Sequence, residues 1–494
     1  MGTAIDSTEF TDEDFRVFTQ KLRDNLFALR KLLNNPDFGS GPPSFGAELE
    51  VYIIDKNANP LAINTKIFDQ LNDPQLALEL VQFNLEYNFK PAIGDSPFSN
   101  IKAQIDAALE KLQQSAHQFG GRILPIGIIP TLKKEHLGPK VITDQPRYHA
   151  LANGIRKLRG CDFEIDIDGQ DPLSMTWADV TPEGANTSFQ FHYRVPPKEF
   201  ADSFNAAQLV SPLILALGAN SPTFLGHRLW QETRIALFKQ SIDYRITDLV
   251  STRIPPRVNF GHGWLRKDAY DLFAEGVFLY PPLLPVINNE QPSHCVNNGD
   301  VPSLHELVLH QSSIWSWNRP VYDHNDGGHL RLELRALPAG PTSLDMVSNA
   351  ALFIGLIEGI KPYINQLLPG IPFNYAKHNF YRAAQDGLST IISWPGLAES
   401  ELQERPIVEI LEELLPLAAD GLERIGIAKN EIQTYLDIAR ATLESQMNGA
   451  TWQLKVFGDL IKKHSKEETL RVLTERYYEE QCSGKPVHEW STRC

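Results

Sequence analysis

Four stretches of the chain alternate polar and apolar side chains: "FGAELEVYII" at 45–54, "VQFNLEYNF" at 81–89, "GANTSFQFHYRV" at 184–195 and "HLRLELRAL" at 329–337. A period of two sends successive side chains to opposite sides of a strand. Each stretch therefore predicts a strand with one apolar side and one polar side. Ala47, Leu49, Val51 and Ile53 oppose Glu48, Glu50 and Tyr52. Val81, Phe83, Leu85, Tyr87 and Phe89 oppose Gln82, Asn84, Glu86 and Asn88. Phe189, Phe191, Tyr193 and Val195 oppose Ser188, Gln190, His192 and Arg194. Leu330, Leu332, Leu334 and Ala336 oppose His329, Arg331, Glu333 and Arg335. Such a set suits an antiparallel sheet with one face on a core.

The polar faces carry the functional question. A face toward bulk water is the default. These four faces, however, hold no lysine. They hold Glu, Gln, Asn, His and Arg, the side chains that bind metal ions and phosphates. Carboxylates repeated across neighbouring strands repel one another unless cations neutralise them. Mg²⁺ is a hard cation that takes oxygen ligands and nucleotide phosphate. Glu48, Glu50, Glu86 and Glu333 are its candidate ligands, and Glu79 adds a carboxylate near the strand's edge. Gln190 and His192 can ligate or orient. Arg331 and Arg335 share a face with Glu333, where they can meet phosphate beside the metals. The chemistry this suggests is phosphoryl transfer.

The common nucleotide loops, GxxxxGK[ST] and GxGxxG between strand and helix, are absent. ATP would then sit in a sheet funnel rather than on a glycine-rich loop. "HELVLH" at 305–310 places its histidines five residues apart. That is about 140° around a helix, so they cannot share a metal from one face. An ordinary helix is expected there.

Elsewhere the periodicity predicts helices at 11–33 with Thr11 as cap, 99–121 with Ser99 as cap, 148–159, 199–218 and 228–250. "RILPIGIIP" reads as a buried strand, and 251–300 as loop. From about 345 to 480 the pattern is helical almost throughout, with the acidic segment 399–413 on a solvated helix face. Strands first and helices last predict an α+β fold with a largely antiparallel sheet. The net charge of -15 disfavours nucleic acid and anionic membranes as partners. No apolar run reads as long enough to span a bilayer, and the acidic N-terminus is unlike a signal peptide. Cys161, Cys295, Cys482 and Cys494 are scattered. Their spacing predicts a reducing, cytoplasmic setting with neither a zinc cluster nor a disulfide framework, and Cys482 and Cys494 read as free thiols.

Seven motifs carry a family resemblance. "FGAELEVYII", "ELVQFNLEYNF", "LPIGIIPTL", "PRYHALANGIRKL", "NTSFQFHYRV", "LALGANSPTFLG" and "LRLELRALPAGP" stand in the order expected of glutamate–cysteine ligases. The likeness is to the plant-type and bacterial carboxylate–amine ligase branch, over roughly residues 40–360. It implies a glutamine-synthetase-like catalytic fold, an antiparallel sheet funnel flanked by helices. The domain expected is 1–360, with helix 11–33 included, and a helical region 361–494 packs on it. The resemblance also implies the reaction. ATP phosphorylates the γ-carboxylate of L-glutamate, and the amine of L-cysteine attacks the acyl phosphate, with Mg²⁺ holding the phosphates.

Residue by residue, Glu48 and Glu50 resemble the family's ExE metal ligands, and Glu79 and Glu86 a second acidic pair. Gln190 and His192 stand where ligands near metal and phosphate are found. Glu333 resembles the late metal-ligand glutamate, and Arg335 the arginine on the transferring phosphoryl group. Arg234 resembles an arginine that binds substrate carboxylate or phosphate, with Arg228 and Arg245 nearby. Arg257 in "PRVNFGHGW" is a further contact for substrate or nucleotide. Two departures stand out. Many relatives have histidine at Gln190, and an aspartate where this chain has "ALPAG". Both leave room for an amine other than cysteine, or for a silent relative. A homodimer is compatible with the helical C-terminal region. Tyr148, Trp315 and Trp317 read first as packing residues, and Arg319 as structural.

Overall fold

The computed structural model describes residues 8–245, 254–396 and 401–493. Its centre is a curled, seven-stranded antiparallel sheet. The strands are β1 (Phe45–Ile54), β2 (Leu76–Leu78), β3 (Asn84–Asn88), β4 (Arg122–Leu124), β5 (Phe189–Arg194), β6 (Asn318–Asp323) and β7 (His329–Leu334). They lie in the order β6-β7-β5-β1-β3-β2. β4 pairs the far end of β1, opposite Tyr52, Ile53 and Ile54.

The apolar faces do what the alternation requires. Ala47, Leu49, Val51, Leu85, Phe189, Phe191, Leu332 and Leu334 are all buried. Helix Pro97–Gln118 sets Phe98 against the apolar face of the sheet, with ring centroids 5.5 Å from Phe45 and 6.1 Å from Phe191. Behind the sheet runs helix Ser343–Ile360, begun by a Thr342–Asp345 capping box and buried along nearly its whole length. Helix Ile407–Arg424 packs against it without side chains between. A Cβ on Gly421 would lie 2.3 Å from the carbonyl oxygen of Gly355. The fold is thus mixed α+β, of the glutamine-synthetase-like type the sequence predicts.

Several boundaries differ from expectation. The strand predicted at 81–89 begins at Asn84. Gln82 donates its N–H to Val141, and the N–H of Asn84 turns back to Val81. "RILPIGIIP" stays buried but leaves the sheet at Leu124, because Pro125 has no N–H to donate. Ser96, not Ser99, is the N-cap of helix Pro97–Gln118, and the N–H of Ser99 goes to Glu431. The helix predicted at 228–250 is only Arg234–Ser241, since Arg228 pairs in a short hairpin. Positions 246–250 lie outside the described residues. The 251–300 segment holds helices Tyr270–Leu279 and Pro292–Asn297. A hairpin, Ile391–Pro395 with Leu402–Pro406, interrupts the C-terminal helices and takes the start of the acidic segment. Helix Asp12–Leu33, with Thr11 at its cap, and helix His305–Gln311 stand as predicted.

The stretches Pro197–Gly218 and Ser343–Gly370 are long and apolar enough to cross a membrane, contrary to the sequence reading. Both are core helices here, 89% and 94% buried within the fold.

Candidate active site

The polar side of the sheet does not face bulk water. It forms one wall of a cavity of about 540 Å³, a size that suits a small-molecule site. Strand pairing sets its geometry. Glu50 faces Glu86 across β1 and β3, Glu48 faces Gln190 across β1 and β5, and Glu333 faces His192 across β7 and β5. Glu79 enters from the loop after β2 and lines the same cavity.

Two groups of possible ligands result. Glu48, His192 and Glu333 form one, and Glu50, Glu79 and Glu86 the other. Within each, the ligand atoms lie within 4.8 Å of one another. The two are electrically unlike. In the first, His192 Nε2 is 3.1 Å from Glu48 and 3.8 Å from Glu333. Arg319 grips Glu333 with both Nε and Nη2, and Arg335 stands 3.2 Å from it. Burial pushes Glu48 up, but the His192 ring outweighs it and holds the carboxyl at about 2. Glu333 is likewise buried yet held well below the usual range by Arg319 and Arg335.

The second group lacks such compensation. Burial raises Glu50 against the pull of Arg335 and Arg234. Burial, then Glu86 and Glu50, raise Glu79 well above the usual range. Burial and Glu48 push Glu86 up to about 7. Three carboxyls that converge and repel, Glu86 buried and Glu50 and Glu79 half-buried, are the donor set of a hard divalent cation. The Nδ1 of buried His192 also has no hydrogen-bond partner. The residues therefore fit Mg²⁺, with oxygen donors dominating both groups.

Polar neighbours hold these carboxylates in place. Gln190 donates to Glu50 at 3.0 Å and accepts from Arg335, so it ties the metal-type carboxylates to the arginine. The Ser188 N–H donates to Glu50 at 2.7 Å, and Asn88 donates to Glu86 at 2.8 Å. Arg234 lines the cavity from helix Arg234–Ser241, held by Glu232 at 3.0 Å and by the Ala336 carbonyl at 3.2 Å.

Two predicted site residues are elsewhere. Arg331 pairs with Asp323 at 2.9 Å, near the open end of β7, and does not line the cavity. Arg257 is 1% exposed. It donates to Ser313 and Pro281 carbonyls and lies over the Tyr244 and Tyr280 rings, 5.0 and 5.8 Å from their centroids. With its Nη atoms taken by carbonyls and its guanidinium against two rings, Arg257 does not line the cavity. Trp315 and Trp317 both pack on Phe238 and also line the cavity, and Tyr148 lines it while donating to the Leu78 carbonyl.

Glu183, Asn186, Arg147 and Ser312 also line the cavity. Glu183, Arg147 and Ser312 lie on no alternating stretch, and Asn186 falls within 184–195 but ahead of the strand, so periodicity gives no sign of their place in the site. Glu183 sits in a single 3₁₀ turn, Thr181–Ala185.

The sequence matches glutamate–cysteine ligase family 2 over residues 44–453. Among solved structures, the chain resembles the glutamate–cysteine ligase of Francisella tularensis, determined in complex with AMP. The TM-score is 0.54 at 12% identity, over 93% of this chain and 91% of that one. It also resembles a bifunctional glutathione synthetase from Pasteurella multocida, with a TM-score of 0.50 at 12% identity. That match covers 94% of this chain but 55% of the other. At such identities the likeness is one of fold. No curated protein matches the sequence.

Proposed function

The chain belongs to glutamate–cysteine ligase family 2, a family of ATP-dependent carboxylate–amine ligases; on that premise, we propose that it joins the γ-carboxylate of L-glutamate to the amine of L-cysteine in an Mg²⁺-dependent reaction, the first step of glutathione synthesis. The observation that carries this reading is the trio Glu50, Glu79 and Glu86, only partly offset by Arg335 and Arg234, beside the trio Glu48, His192 and Glu333, which Arg319 and Arg335 balance. Together they make a surface for several metal-bridged phosphates, with cationic side chains at its border.

The residues divide the work. The two carboxylate groups would hold Mg²⁺, which when bound offsets phosphate charge and draws electrons from the γ-phosphorus. Arg335 carries a fixed cation at the wall both trios share, where charge builds on the transferring phosphoryl group. Gln190 holds Arg335 and Glu50 in one bonded row, so arginine and metal ligands keep a constant spacing. Arg234 lines the cavity with its Nη atoms held by Glu232 and by the Ala336 and Leu337 carbonyls, and supplies there a fixed positive charge that suits a substrate carboxylate or phosphate. Trp315, Trp317 and Phe238 supply an aromatic wall for an adenine ring. The scattered cysteines support a cytoplasmic setting.

The test is phosphate release with ATP, Mg²⁺ and L-glutamate, with and without L-cysteine, and the product mass. Cysteine-dependent release with γ-glutamylcysteine is expected. Release that depends on glutamate but answers to another amine in a panel would replace the acceptor. Release independent of glutamate would overturn the donor.

A further inference from the structure

Glu183 is a cavity carboxyl that belongs to neither ligand group. Its backbone is fixed with unusual care. Tyr52 donates to the Ala185 carbonyl at 2.5 Å, and Asn84 donates to the Gly184 carbonyl at 2.7 Å. Asn186 donates to the carbonyl of Glu183 itself at 2.8 Å. Gly184 lies so near β3's approach that a Cβ there would be 2.4 Å from Val81 Cγ1. The turn is therefore seated on the sheet's polar face by two side chains of that face.

The side chain it carries is, by contrast, unengaged. Among the described residues, Glu183's carboxyl makes no hydrogen bond and no ion pair. The turn sits on the Tyr52–Asn84 pair, and the next pair on the same face of the sheet is Glu50 with Glu86, so Glu183 enters the cavity at the end where that trio lies. A positioned, partnerless carboxyl at a reacting centre is a proton acceptor in search of a proton.

Resting on the proposed ligase reading, we propose that Glu183 receives the ammonium group of the acceptor and removes the proton that blocks its attack. The acceptor enters as R–NH₃⁺ and gives one proton to Glu183. The freed lone pair forms the C–N bond to the acyl carbon. The C–O bond to phosphate breaks, and phosphate leaves with that electron pair and the second nitrogen proton. The amide keeps the third, and Glu183 returns its proton to water.

Hydroxylamine separates this role from a structural one, because it is uncharged at neutral pH and needs no proton removed before attack. Glu183→Gln should slow amide formation with the best primary amine of a panel that includes L-cysteine by about 100-fold, while hydroxamate formation changes less than about threefold. Glu183→Asp, which keeps the carboxylate, should recover part of the amine rate. Equal losses with both nucleophiles, or no loss with either, would overturn the assignment. Thermal melting and MgATP binding at wild-type level exclude misfolding as the cause. Wild-type hydroxamate formation reports on the carboxylate donor, and so on the ligase reading. The ratio of the two nucleophiles, variant against wild type, reports on Glu183 alone.

Discussion

Tyr52 and Asn84 face each other across β1 and β3 and donate to two successive carbonyls, Ala185 and Gly184, of one 3₁₀ turn. The polar side of the sheet therefore does two jobs along its length. At one end its carboxylates line the cavity, and at the other its side chains fasten a loop that supplies a further carboxyl.

Loosening that fastening should be felt in chemistry more than in stability. Tyr52→Phe removes one buried hydrogen bond, worth about 1 kcal/mol. If Glu183 acts on the amine, this variant should lose more amide rate than hydroxamate rate. Urea melts and the paired nucleophile assay measure both.

The carboxylate trio should trade stability for function. Glu79→Gln removes one member of a buried, mutually repelling set. Metal-free protein should gain about 1–2 kcal/mol at pH 8, and Mg²⁺-dependent turnover should fall by about 100-fold. Thermal melting in a chelator, with a parallel phosphate assay, checks the pair of outcomes. A less stable variant would show that the carboxyl is held by favourable contacts after all.

The same charges set a pH dependence. Glu86 at about 7 and Glu183 at about 8 are raised above an ordinary glutamate. The folded state therefore binds more protons than the unfolded chain above pH ~4.5. Metal-free stability should fall as pH rises from there through about 8. Mg²⁺ displaces those protons, so its stabilising effect should grow between pH 6 and pH 8.5, about where these groups ionise. Melting curves with and without Mg²⁺ at the two pH values measure this.

Arg319 is the counter-charge of a buried carboxylate that is 2% exposed. Arg319→Met leaves Glu333 with Arg335 and His192 only, and should cost about 3 kcal/mol. Arg319→Met with Glu333→Gln should restore most of the stability and none of the activity. Urea unfolding of the single and double variants decides it.

Arg331 and Arg257 make the opposite case. Arg331→Gln should leave kcat/KM within about twofold, since the side chain serves Asp323 and not the cavity. A large rise in KM for ATP would return it to the site.

The alternating strands made the sheet, its faces and five of the six side chains in the two trios legible in the sequence, because a period of two fixes direction as well as structure; Glu79 lies off the alternating stretches. The same rule placed Arg331 wrongly. It gives a side chain's face but not how far along the strand the cavity extends. Arg257 could not be judged, because its partners Tyr244, Tyr280 and Pro281 converge only in the fold. Glu183 left no trace for a related reason. Its turn is held by contacts from residues a hundred or more positions away, Tyr52 and Asn84 among them. The hairpin at Ile391–Pro395 was hidden by helical patterns on both sides.

The pairing of Glu50 with Glu86, and of Leu49 with Tyr87, has a consequence for how the chain avoids error. Sliding β3 by one residue past β1 would exchange its sides. Glu86 would enter the hydrocarbon interior and Leu85 would enter the cavity. The penalty falls on both sides at once, so no compact impostor with a shifted strand is cheap. The carboxylates that line the cavity also act as proofreaders of assembly, before any ligand arrives.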